Sequence, residues 1–259
     1  MRFSLALLPL ALLTTAATPA PADLYAKSFG TSPKRAQTLI VVLHGDAPSA
    51  KPGYHYTFAR SAAAAVPNSV AVGLLRPGYE DPQGKRSPGV RGTTTGDNYT
   101  PDRIAAVARA IRKLQRRYRT ARTILVGHSG GAAITADLAG TYPGLIDGMI
   151  LVSCPCELPE WRRHMQTVSP TPLWDQPVTS LDPIMLVGGI PAGLKTAVLV
   201  GSEDKTTPVA FSRAYAEALT LRGIATDYRI VPGKDHELLG DPEVIGALRR
   251  MAAQLPGKR

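Results

Sequence analysis

The sequence predicts an α/β fold, a mostly parallel, doubly wound sheet flanked by helices. Three observations predict it. Apolar, β-branched runs recur at 39–43, 69–75, 123–126, 148–153, 195–200 and 226–231. Several of them are continuous rather than alternating, as strands buried on both faces must be. Segments of helical spacing lie between them, so the connections are crossovers and the sheet is parallel. A chain of 259 residues is in range for one such domain, and neither a repeat nor a second core is visible.

In chain order, residues 1–22 stand apart. Arg2, an apolar stretch over 5–13 and Ala20-Pro21-Ala22 form the pattern of a secretory signal peptide. Pro9 argues against a buried helix, and the stretch is too short for a permanent anchor. The expectation is a secreted or periplasmic protein without stable membrane insertion. Residues 23–38, with Tyr25 and Phe29, leave room for one or two short edge strands. The 39–43 strand ends in His44-Gly45-Asp46, followed by a Pro/Gly-rich loop and an Ala-rich helix over 56–65. After the 69–75 strand comes Arg76-Pro77-Gly78-Tyr79 and a polar loop through residue 99, a length that marks functional or mobile segments.

Thr100 as N-cap and Pro101 at the first position start the next helix. Its apolar set, Ile104, Val107, Ile111 and Leu114, makes a buried stripe. Its basic set, including Arg109, Arg112, Lys113, Arg116 and Arg117, carries much of the net charge of +10. No aromatic residues are interleaved for base stacking, so it reads as a solvated cationic face and not a nucleic-acid surface. Thr207-Pro208 caps a helix reaching about Leu221, and Asp241-Pro242 caps a last helix reaching about Gln254. Cys154 and Cys156 flank Pro155 and read as structural thiols or a local disulfide, and no metal site is expected.

Between the strands at 148–153 and 195–200 the period breaks. Residues 155–194 hold seven prolines and both tryptophans, Trp161 and Trp174, too much for a plain crossover. The segment reads as a short lid or cap insertion, its tryptophans either lining a substrate pocket or pinning the insertion to the domain.

The chemistry centres on Gly127-His128-Ser129-Gly130-Gly131, between the 123–126 strand and a helix over 132–139. Strand, G-x-S-x-G turn and helix make a nucleophile elbow that exposes the Ser129 hydroxyl. The Gly130 amide opens a helix, where backbone donors are unpaired. A serine needs a base, and the base needs an orienting acid. Both should come from loops at the carboxyl ends of strands. The loops at 201–208 and 232–237 offer Asp204 and His236 in that order, with Glu203 and Asp235 as alternative acids. Gly130 and Asp46 would supply the two amides of an oxyanion hole.

On these residues the chain resembles the α/β-hydrolase superfamily from Leu39 to the C-terminus. The resemblance implies Ser129 as nucleophile, His236 as base, Asp204 as acid, and the Asp46 and Gly130 amides as oxyanion hole. It implies up to eight strands, with the first edge strands missing because the space before Leu39 is short. The compact size and Arg76-Pro77-Gly78-Tyr79 are similar to small secreted esterases and to the catalytic domains of prolyl-oligopeptidase-like peptidases. The expected activity is cleavage of a small ester, with small peptides or amides as the alternative substrate and a non-catalytic binding protein as a third reading. No metal or organic cofactor is needed for it.

Overall fold

The computed structural model describes residues 23–119 and 121–255; the expected signal peptide, residues 1–22, lies outside them. The apolar runs form β2 (Thr38–Leu43), β3 (Ser69–Leu74), β4 (Arg122–His128), β5 (Gly148–Val152), β6 (Lys195–Gly201) and β7 (Thr226–Val231). One edge strand, β1 (Ala26–Gly30), precedes them. Among the described residues the sheet has seven strands in the order β1-β3-β2-β4-β5-β6-β7. Only β1 is antiparallel, along β3.

Each parallel crossover contains a helix: α1 (Tyr54–Ala65), α2 (Pro101–Arg117), α3 (Gly130–Thr141), then α4 (Leu158–Val168) with the short α5 (Pro183–Leu186), and α6 (Val209–Leu221). The last helix, α7 (Pro242–Gln254), follows β7. The continuous apolar runs divide by alternation. Leu39, Val41 and Leu43 enter the core shared with α2, α3 and α6, while Ile40 and Val42 enter the one shared with α1 and α7. Each fully buried aliphatic side chain contributes about 1.5–3 kcal/mol relative to leaving it in water.

Of the three expected N-caps, Thr100 precedes α2 as read but makes no side-chain capping bond, its hydroxyl donating to Asp102 instead. Asp241 accepts the Glu243 amide at 2.9 Å, as an N-cap should. Thr207 does not cap α6, which begins at Val209 after Pro208. Its hydroxyl is committed to Asp204 instead, at 2.7 Å. Cys154 and Cys156 are joined as a disulfide immediately after β5. The long segment 76–99 is pinned by Arg76, Tyr79, Asp81, Asn98 and Tyr99, all buried.

Residues 155–194 are organised by Arg162. Its guanidinium donates to the carbonyls of Leu173, Trp174 and Gln176 at 2.9–3.0 Å and to that of Thr95 at 3.3 Å. Burial is the cause that lowers its pKa.

Candidate active site

The chain runs from β2 outward to β3 and returns on the other side of β2 to form β4. The carboxyl ends of β2 and β4 therefore flank the switch point of the sheet, where open α/β sheets form their crevice. The loop His44-Gly45-Asp46 leaves β2 there, and Ser129 leaves β4. A Cβ on Gly45 would lie 3.0 Å from the Ser129 Cβ, so the two loops touch.

The elbow is tight for steric reasons. Ser129 has φ 54° and ψ −124°, a left-handed conformation that L-residues rarely adopt. A Cβ on Gly127 would meet the Gly131 carbonyl oxygen at 2.2 Å. One on Gly131 would meet the Leu43 and His44 carbonyl oxygens at 2.5 Å. The Ser129 amide donates to the Val152 carbonyl at 2.8 Å, tying the turn to the end of β5. Strain of this kind persists only where the surroundings enforce it.

His236 Nε2 lies 3.0 Å from Ser129 Oγ, and its Nδ1 lies 3.0 and 3.1 Å from the two oxygens of Asp204. A carboxylate only accepts, so Nδ1 carries the proton and Nε2 accepts from the Ser129 hydroxyl. Asp204, 5% exposed, also accepts from the amides of Thr206 and Thr207 and from the Thr207 hydroxyl, at 2.7–3.0 Å. Burial pushes its carboxyl up, but the hydrogen bond and charge of His236 and the Thr207 donors outweigh it and hold it below the usual carboxylate range. Glu203 and Asp235 are exposed, and among the described residues Asp204 is the acid within reach of His236. The arrangement can draw the Ser129 proton to His236 and stabilise the resulting imidazolium.

Gly130 occupies the first position of α3, and its Cα lies beside Asp46: a Cβ there would fall 2.6 Å from Asp46 Oδ1. The two residues expected to offer oxyanion amides are thus adjacent. The carboxylate of Asp46 was not foreseen in its setting. It pairs with Arg76 at 2.8 Å, both side chains buried, and accepts from the Tyr99 hydroxyl at 2.5 Å and the Gly96 amide at 2.9 Å. Arg76 also donates to the His44 carbonyl at 3.2 Å. The signal in the sequence was positional: Arg76 directly follows β3 at the same end of the sheet. Ser153, after β5 with φ 52°, donates its hydroxyl to the His236 carbonyl at 3.0 Å and was likewise missed.

Trp161 is 1% exposed, and its indole N–H donates to the Thr206 carbonyl at 2.8 Å, two residues from Asp204. The half-buried Trp174 packs edge-on against it, with ring centroids 5.6 Å apart. Trp161 therefore serves as packing between α4 and the acid loop, and any open aromatic face in the insertion belongs to Trp174.

Solved structures share this architecture over most of their length. Esterase PE8 superposes with a TM-score of 0.64 at 17% identity, over 90% of this chain and 100% of that one. Est1E from Butyrivibrio proteoclasticus, with ferulic acid bound, gives 0.65 at 14% identity over 90% and 95%. The chain has the α/β-hydrolase fold. A monoacylglycerol lipase from Paleococcus ferrophilus gives 0.58 at 19% identity over 90% and 98%. The family model for serine aminopeptidase, S33, matches residues 82–186, a span that includes Ser129 and ends before Asp204 and His236. Among curated protein sequences, none matches the chain.

Proposed function

We propose that this α/β-hydrolase is a serine hydrolase that cleaves a carboxylic ester through an acyl-enzyme on Ser129. The observation that carries the reading is the unbroken hydrogen-bond chain from Ser129 Oγ through His236 to Asp204. Ser129 Oγ attacks the carbonyl carbon as His236 Nε2 takes its proton. The oxyanion is received by the Asp46 and Gly130 amides, each such donor typically worth about 10²–10³ in kcat. His236 returns the proton to the departing alkoxide oxygen. It then takes a proton from the water that attacks the acyl-enzyme, and Ser129 is regenerated. No metal or organic cofactor enters these steps.

The ester reading draws on the neighbours described as esterases and a lipase. A second reading, a peptidase or amidase acting on small peptides, draws on the serine aminopeptidase match. Residues 155–194 are read as the cover of the site, with the 1–22 segment directing the protein to the periplasm or outside the cell.

A fluorophosphonate probe should label the wild type on Ser129, and Ser129→Ala should lose both labelling and turnover, by about 10⁶ in kcat. Retention of more than a few per cent of ester hydrolysis by Ser129→Ala would remove the assignment. A panel of esters of graded acyl length against short peptide amides decides between the two substrate classes.

A further inference from the structure

Behind Ser129, a second set of hydrogen bonds joins the β2 loop to the backbone of His236. The Gly45 amide donates to the Tyr54 hydroxyl oxygen at 2.6 Å. That oxygen lies 2.7 Å from His128 Nδ1, and His128 Nε2 lies 2.9 Å from the His236 carbonyl oxygen. The direction of every bond follows from chemistry. A carbonyl only accepts, so His128 Nε2 carries the proton. In a neutral ring Nδ1 must then accept, so the Tyr54 hydroxyl donates to it while accepting from Gly45. His128 is neutral because burial first, and the charge of His236 second, push its pKa down to about 4. It is 2% exposed, and the Tyr54 ring stands perpendicular to it with centroids 5.4 Å apart.

The two ends of this set matter to different parts of the reaction. Gly45 immediately precedes Asp46. Its amide is held by Tyr54, and its carbonyl, in the same peptide plane as the Asp46 N–H, lies 2.7 Å from His44 Nδ1, so both planes that aim the Asp46 amide are tied down. The His236 carbonyl belongs to the residue whose ring must stay 3.0 Å from Ser129 Oγ. We propose that Tyr54 and His128 are positioning residues that lock the oxyanion loop and the base into one body. The proposal rests on the reading of Ser129 as nucleophile and His236 as base. Neither residue needs to touch the reacting atoms; misplacing reacting groups by about 1 Å can cost on the order of 10²-fold.

Tyr54→Phe keeps the ring and removes the one oxygen that bridges Gly45 and His128. Its kcat for p-nitrophenyl acetate, normalised to the fraction of protein labelled by a fluorophosphonate, should fall about 10- to 100-fold. KM should stay within about twofold, because binding of so small an ester does not use the bridge. His128→Leu should fall comparably. Because the two act in series, the double variant should be no slower than the slower single one, whereas independent effects would multiply. A normalised kcat within about twofold of wild type in Tyr54→Phe would overturn the proposal. So would multiplicative losses in the double variant, or a decline wholly accounted for by lost fluorophosphonate-reactive protein. Failure of the nucleophile reading looks different: the wild type would go unlabelled, or Ser129→Ala would remain active.

Discussion

Asp204 differs from its acidic neighbours in what surrounds it. Glu203 and Asp235 face water, whereas Asp204 is buried beneath the amides of Thr206 and Thr207. Asp204→Asn should lower kcat by about 10⁴ with little change in fold, because an amide no longer selects the productive imidazole tautomer. Glu203→Gln and Asp235→Asn should stay within a few-fold in the same assay. The Asp204 carboxyl is held below its ordinary range, so acidification to about pH 4 should leave it ionised and add no separate limb to the rate profile. At this scale Ser129, His236 and Asp204 were legible because loop order and strand ends restrict the candidates. The Asp46–Arg76 pair was not, since nothing in a single sequence says that two charges thirty residues apart share a buried site. Removing one partner leaves the other charge buried alone, a cost of about 3–5 kcal/mol. Arg76→Met should lose about that much in urea denaturation, and Asp46→Asn on the same background should recover part of it.

At the scale of elements, the strands were legible because a buried parallel strand needs an unbroken apolar run. The insertion was legible only as a break in that pattern. Its proline density conceals α4, whose Pro159 sits in the first turn, where proline is tolerated. The sequence leaves both tryptophans either as substrate wall or as pins of the insertion, and their surroundings differ. Trp161 fills space between α4 and the acid loop and holds the Thr206 carbonyl. Trp161→Ala should cost about 3–5 kcal/mol of stability, visible as a lower Tm. Trp174 is half-buried at the edge of the insertion. If the segment covers the substrate, Trp174→Ala should shift preference among acyl chain lengths by roughly 1–3 kcal/mol in kcat/KM and leave Tm nearly unchanged. Unchanged chain-length preference would leave residues 155–194 with no wall function at Trp174.

At the scale of the whole molecule, one side chain couples stability to pH. α3 is buried on every side from Gly130 to Ala139, as befits a helix under the centre of the sheet. Asp137 lies inside that stretch, fully buried, and no protein donor reaches either carboxyl oxygen among the described residues. Burial, with the charge of Asp182 as a second cause, pushes its pKa well above the ordinary value. In the unfolded chain the same carboxyl ionises in the ordinary carboxylate range. Below that range the group is protonated in both states and costs nothing by linkage. As pH rises past it, the unfolded state sheds a proton that the folded state keeps, and stability falls by about 1.4 kcal/mol per pH unit until the folded pKa is passed. The sequence shows an aspartate in an otherwise apolar helix, but helical spacing alone does not reveal that no face of the helix reaches water. Asp137→Asn removes the ionisation while conserving shape. Its Tm should exceed that of the wild type at pH 7–8, with the difference shrinking toward pH 4. A pair of melting curves at the two ends of that range tests it, and a difference between variants that does not change with pH would assign Asp137 no part in the linkage.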